Sequence, residues 1–148
     1  MPSPMFAGYY LIFSKIGGQH CIGVNNDKKL CLKTFDKSSN ANTWIVNPIP
    51  GTIGHFILEH QQTGWCARFG AEPIQLFDFS ADPDNLEFAM VCDDVDNGYT
   101  AINNHDRTRV FDDAGGKPDG MILPWQWNGG DNQRWRFIST AVLDNPSS

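Results

Sequence analysis

Apolar and polar positions alternate along this chain in short runs, and no stripe of helical period extends over about 11 residues. The runs recur. Gly8-Tyr9-Tyr10-Leu11-Ile12 returns as Gly54-His55-Phe56-Ile57-Leu58 and as Gly98-Tyr99-Thr100-Ala101-Ile102, at offsets of 46 and 44. Cys21-Ile22-Gly23 returns as Cys66-Ala67-Arg68 and as Val110-Phe111-Asp112, at offsets of 45 and 44. A third segment alternates through Leu30-Cys31-Leu32, Ile74-Gln75-Leu76 and Met121-Ile122-Leu123. An aromatic closes each unit: Trp44, Phe88 and Trp135, each 14 residues after the third segment begins. Each run is short and bounded by Gly, Asn, Asp or Pro, which reads as a β-strand.

The unit is therefore about 45 residues with four strands. One such unit cannot bury its own apolar side. Three units around a pseudo-threefold axis share one core and close their sheet edges. The pattern predicts an all-β chain, a β-trefoil of twelve strands in three pseudo-threefold repeats. The single domain spans 1–148, with repeats at about 7–50, 51–94 and 95–140. A four-bladed propeller would need a fourth repeat.

Composition agrees with a folded domain: of 148 residues, 41% are hydrophobic and 19% charged. Fourteen glycines and nine prolines favour turns over long helices. Seventeen acidic residues against eleven basic ones give a net charge of −6, which disfavours nucleic acid and anionic membranes as partners. No apolar run is long enough to cross a membrane as a helix, so no membrane insertion is expected. The segment Met1–Gly8 has no basic start leading into an apolar stretch, so no secretory signal is read and a cytoplasmic location is expected.

Cys21, Cys31, Cys66 and Cys92 have no metal-type spacing and are expected as reduced, buried thiols. Asp93-Asp94-Val95-Asp96-Asn97-Gly98 resembles a calcium loop only superficially. Val95 and Asn104 stand where ligands should be, so a turn is expected. His55 and His60, five apart, do not make a metal-binding motif. Neither a metal nor a cofactor is implied, and no catalytic residue is assigned. The tail 143–148 is expected to fray.

The third repeat ends in Trp125-Gln126-Trp127-Asn128-Gly129-Gly130-Asp131-Asn132-Gln133-Arg134-Trp135. Gln133-Arg134-Trp135 resembles the Gln-x-Trp signature of the ricin B-like lectin family, and Val110-Phe111-Asp112 resembles its aspartate-bearing segment. The likeness is greatest to the non-secreted mushroom members, because the repeats lack the disulfide pairing of many secreted ones. It implies a carbohydrate-binding lectin with one sugar site in repeat 3, for galactose or N-acetylgalactosamine termini, with defence as its setting.

The chemistry fits. A sugar has an apolar C–H face and hydroxyl edges, so it needs a flat aromatic and a few fixed polar groups. Trp125 is the expected platform and Asp112 the charged acceptor. Asn132 can donate and accept. Gln133 is expected to brace the loop, and Gly115 and Asn128 are lesser contacts. Both Asp112 and Trp125 are expected on a surface loop. Repeats 1 and 2 depart from the pattern. They carry Gly23 and Arg68 at the Asp112 position, Thr34 and Asp78 at the Trp125 position, and Asn42 and Leu86 at the Gln133 position. Nearby Phe35, Phe77 and Phe79 leave a nonstandard site open.

A lone exposed sugar site binds weakly, with Kd on the order of 0.1–1 mM. A homodimer or a multivalent surface would then supply avidity. The alternative is a β-trefoil protease inhibitor acting through an exposed loop, with 25–29 and 93–98 as candidates. An inhibitor has no reason to keep Asp112, Trp125 and Asn132 together. No enzymatic activity is expected.

Overall fold

The computed structural model describes residues 7–16, 19–36, 38–70, 72–114 and 119–141. The first repeat contributes β1 (Gly8–Ser14), β2 (His20–Val24), β3 (Leu30–Thr34) and β4 (Trp44–Pro48). The second contributes β5 (His55–His60), β6 (Cys66–Arg68), β7 (Gln75–Phe77) and β8 (Ala89–Asp96). The third contributes β9 (Tyr99–Asn104), β10 (Val110–Asp112), β11 (Leu123–Trp125) and β12 (Trp135–Ser139).

The outer strands of each repeat pair antiparallel in a closed ring, β1–β4–β5–β8–β9–β12 and back to β1. The inner strands form three hairpins, β2–β3, β6–β7 and β10–β11, that cap one end of this barrel. A six-stranded barrel capped by three hairpins is a β-trefoil. Closure leaves the barrel strands no open edge.

Three backbone hydrogen bonds join the hairpins in a cycle. Leu30 N–H donates to Ile74 C=O (2.8 Å), Ile74 N–H to Ile122 C=O (2.9 Å), and Ile122 N–H to Leu30 C=O (2.9 Å). All three side chains are fully buried. The core is built in threefold layers. Ile12, Leu58 and Ile102 form one, and Ile22, Ala67 and Phe111 form another. Burying an aliphatic or aromatic side chain stabilises by roughly 1.5–3 kcal/mol, so these layers carry much of the fold.

The register corrects part of the sequence alignment. Trp44 lies opposite His60, Met90 opposite Asn104, and Trp135 opposite Ser14, so the third member of the aromatic layer is Met90 and not Phe88. The indole N–H groups of Trp44 and Trp135 make the same bond, to Ile22 C=O (2.9 Å) and Phe111 C=O (3.1 Å). Ile122, not Met121, is the counterpart of Leu30 and Ile74. The intervals are therefore 14, 16 and 13 residues. The common spacing of 14 is a coincidence of composition. Phe88 is buried too, but in a short 3-10 turn, Leu86–Phe88, ahead of the strand.

All four cysteines are buried and free. Burial pushes the Cys21 and Cys66 thiols up to about 12, and raises Cys31 and Cys92 as well. Their thiolates are therefore scarce at neutral pH. The tail 143–148 lies outside the described residues.

Candidate functional site

Asp112 ends β10, two residues from Val110, which pairs with Trp125 on β11. Strand alternation turns Phe111 inward and places Asp112 and Trp125 on one face of the hairpin. Both sit on strands rather than on a loop, and Asp112 is largely enclosed. It is 7% exposed, whereas Trp125 is 52% exposed. An aromatic of that size left half in water presents a flat apolar face to a ligand.

The carboxylate of Asp112 is fixed by three donors. Oδ1 accepts from Ala114 N–H (2.8 Å) and Asn132 Nδ2 (2.9 Å), and Oδ2 accepts from Gln133 Nε2 (2.9 Å). One of its roughly four acceptor positions remains. Asn132 and Gln133 come from a 3-10 turn, Asp131–Gln133, just before β12. Asn132 donates through Nδ2, which leaves its Oδ1 as a further acceptor.

Gln133 is fully buried. Its Nε2 also donates to Gln126 C=O (2.9 Å), and its Oε1 accepts from Asn128 N–H (2.8 Å). The segment after Trp125 is thereby tied to the carboxylate. Asn128 is exposed, with Oδ1 accepting from Gly130 N–H (2.8 Å). A Cβ on Gly130 would meet Asn132 Oδ1 at 2.6 Å and Asn128 Oδ1 at 2.9 Å, so only glycine lets both amides close in. Gly115 lies outside the described residues. Asp113 turns into the protein and accepts from the Ser14 hydroxyl (2.5 Å).

The structure thus gathers Asp112, Asn132 and Gln133 in one hydrogen-bonded cluster, with Trp125 on the same hairpin and Asn128 on the braced loop. No group of three or more His, Cys, Asp or Glu side chains among the described residues could hold a metal ion.

The other repeats show what replaces this cluster. Lys33 pairs with Cys21 and Phe77 with Cys66 as Trp125 pairs with Val110, so Lys33 and Phe77, not Thr34 and Asp78, hold the Trp125 position. The next-residue bonds Phe69 N–H to Glu87 C=O (3.0 Å) and Asp113 N–H to Asn132 C=O (2.9 Å) are equivalent. They make Glu87 the counterpart of Asn132, and Phe88, not Leu86, that of Gln133. In repeat 2 the Asp112–Asn132 bond becomes an ion pair, Arg68 to Glu87 at 2.8 Å. The Arg68 guanidinium also lies 4.6 Å from the Phe77 ring centre, over the face a ligand would use. In repeat 1, Gly23 leaves space that Asn42 fills, and Lys33 pairs with Asp119 at 2.8 Å. Residues 25–29 form a turn pinned by Asn25 Oδ1, which accepts from Asp27 N–H (2.9 Å) and Lys29 N–H (3.0 Å).

Fold and cluster together define a β-trefoil with one polar site beside an exposed tryptophan. Known proteins narrow this. No protein-family model matches the chain. A ricin B-like lectin of Arabidopsis thaliana is 30% identical over 133 residues, 76% of this chain. The chain spans about two fifths of that relative's length, 41%. A designed threefold-symmetric protein, ThreeFoil, superposes with a TM-score of 0.77 at 16% identity, covering 89% of this chain and 99% of the other. The C-half of an earthworm R-type lectin, solved in complex with GalNAc, superposes with a TM-score of 0.67 at 18% identity, covering 89% and 98%. The solved structures share the β-trefoil fold, and the curated relative is a ricin B-like lectin.

Proposed function

We propose that this protein is a carbohydrate-binding lectin domain with one competent site, in the third repeat, for galactose- or N-acetylgalactosamine-terminated glycans. The observation that carries the reading is the Asp112 carboxylate, held by Asn132 and Gln133 beside the half-exposed Trp125. Trp125 supplies the surface for a sugar's C–H face. The remaining acceptor position of Asp112 and the Asn132 carbonyl take hydroxyl hydrogens. A charged acceptor makes the stronger bond, and one already fixed loses little entropy on binding. The likeness to ricin B-like lectins, and to an R-type lectin crystallised with GalNAc, supports the sugar class. Repeats 1 and 2 are structural copies in this reading, because neither has both acceptor and open platform. Four free, buried thiols support a reducing compartment.

The test is a glycan array read with wild type, Asp112→Asn and Trp125→Ala. The expected result is binding of galactose-type termini by the wild type and loss in both variants, with circular dichroism unchanged. Undiminished binding by Trp125→Ala would place the sugar elsewhere.

A further inference from the structure

The seams between the cap hairpins are not alike. At two of them a backbone bond closes the gap: Leu32 N–H donates to Gly120 C=O (2.9 Å), and Leu76 N–H to Lys28 C=O (2.8 Å). The residue at the same place in the third repeat is Pro124, which has no N–H to give. Along that seam runs an open groove. One end, about 430 Å³, is lined by Trp125, Gln126, Thr108, Arg109, Pro124 and Glu72. The other end, about 460 Å³, shares Glu72, Arg109 and Pro124 and reaches Glu87, Asn104 and His105. Each end has the volume of a small-ligand pocket.

We propose that this groove is an extension subsite, in which a neutral oligosaccharide seated on Trp125 continues over Pro124 toward Arg109 and Glu87. The proposal rests on the sugar-site reading above and deepens it. Trp125 belongs to both places, so a chain leaving the first sugar meets the groove directly. The groove is lined with side chains suited to hydroxyls. Arg109 is exposed and makes no ion pair among the described residues, so its five donors are open. Glu87 is aimed by Arg68, whose two bonds both fall on Oε1, leaving Oε2 to accept from a ligand. Gly70 makes room for it, because a Cβ there would collide with the Glu87 carboxylate. The ligand is neutral because three carboxylates, Glu72, Glu87 and Asp106, line the groove against Arg109 and the Arg68 that pairs with Glu87. A sialylated or sulfated chain would meet net negative charge.

The experiment is calorimetric titration of the whole chain with galactose, then with neutral tri- and tetrasaccharides ending in galactose. Wild type, Arg109→Ala, Glu72→Ala and Trp125→Ala are compared. Arg109 and Glu72 are exposed, so their removal leaves the fold intact. The expected result is about tenfold tighter binding of at least one longer glycan by the wild type, as one charge-assisted or two neutral hydrogen bonds would give. Arg109→Ala loses that gain while its galactose affinity stays unchanged, and Trp125→Ala loses both. Galactose binding with no gain for any longer glycan, or a gain that survives both Arg109→Ala and Glu72→Ala, overturns the subsite and leaves the sugar site standing. No binding of either ligand by the wild type overturns both.

Discussion

Replacing Gln133 with leucine isolates the brace of the site. The side chain is fully buried and makes three hydrogen bonds: to the Asp112 carboxylate (2.9 Å), to Gln126 C=O (2.9 Å) and from Asn128 N–H (2.8 Å). The bond to the charged acceptor is worth roughly 1.5–3 kcal/mol net, and each neutral one about 1 kcal/mol. Leucine in the same slot returns roughly 1–2 kcal/mol through apolar burial. The balance is a loss of about 2–3 kcal/mol. For a chain of this size that lowers the thermal midpoint by about 10 °C. The assay is thermal unfolding followed by circular dichroism, with galactose binding measured on the folded variant. Binding falls as well, because Asp112 and the 126–128 segment lose their common tie. The second variant, Gln133→Glu, sets a carboxylate against Asp112 Oδ2. Like charges at that distance raise the proton affinity of the pair. The folded state then holds more protons than the unfolded one, so stability is present at acid pH and lost as pH rises above the ordinary carboxylate range, about 4. A leucine variant within about 2 °C of wild type, or a glutamate variant with no such pH slope, would refute the brace.

Three more outcomes are expected. Trp135→Ala removes a fully buried indole and its bond to Phe111 C=O, and guanidinium unfolding should show a loss of about 3–5 kcal/mol. His60 is fully buried between Ala41 C=O (2.6 Å) and the Thr63 hydroxyl (3.0 Å), and burial lowers its pKa below 6.5. Stability is therefore whole above about pH 6.5, where both states are neutral. It declines below that, as the unfolded chain takes a proton the folded one refuses. His60→Gln should flatten this decline in a pH series of unfolding midpoints. Finally, the thiol reagent DTNB should find almost no reactive cysteine in the native protein and four after denaturation, since all four are buried and free.

The threefold design was legible because the first two segments of each repeat keep their spacing. Gly8, Gly54 and Gly98 open equivalent strands, and Cys21, Cys66 and Val110 take equivalent rungs in the structure. The slip came after β3, β7 and β11, where the connections to the last strand differ in length. Surface connections tolerate such changes at small entropic cost. Phe88 mimics the core aromatic because a large buried residue in a turn looks, in sequence, like one in a strand. Met90, the true occupant, carries no distinctive signal. The one-residue slip at Met121 hid Lys33 and Phe77, which hold the Trp125 position in repeats 1 and 2. Asp112, Asn132 and Gln133 stood out through the family resemblance, but the bonds by which Asn132, Gln133 and the Ala114 N–H fix the carboxylate did not. The Arg68–Glu87 pair was missed, although opposite charges at the positions of Asp112 and Asn132 were its signal. The groove beside Trp125 had one too: a proline where the sibling repeats have leucine.

The cycle of bonds through Leu30, Ile74 and Ile122 sets a limit on how such a chain can grow. In a solenoid, duplication of one unit lengthens the stack, because each end offers a surface for the next. Here each of the three residues spends its N–H on one neighbour and its C=O on the other. A tandem duplication would add a unit that finds no vacancy in the ring. Multiplication of binding sites in this architecture must therefore proceed by joining whole domains in series or by assembling separate chains, never by inserting a fourth unit.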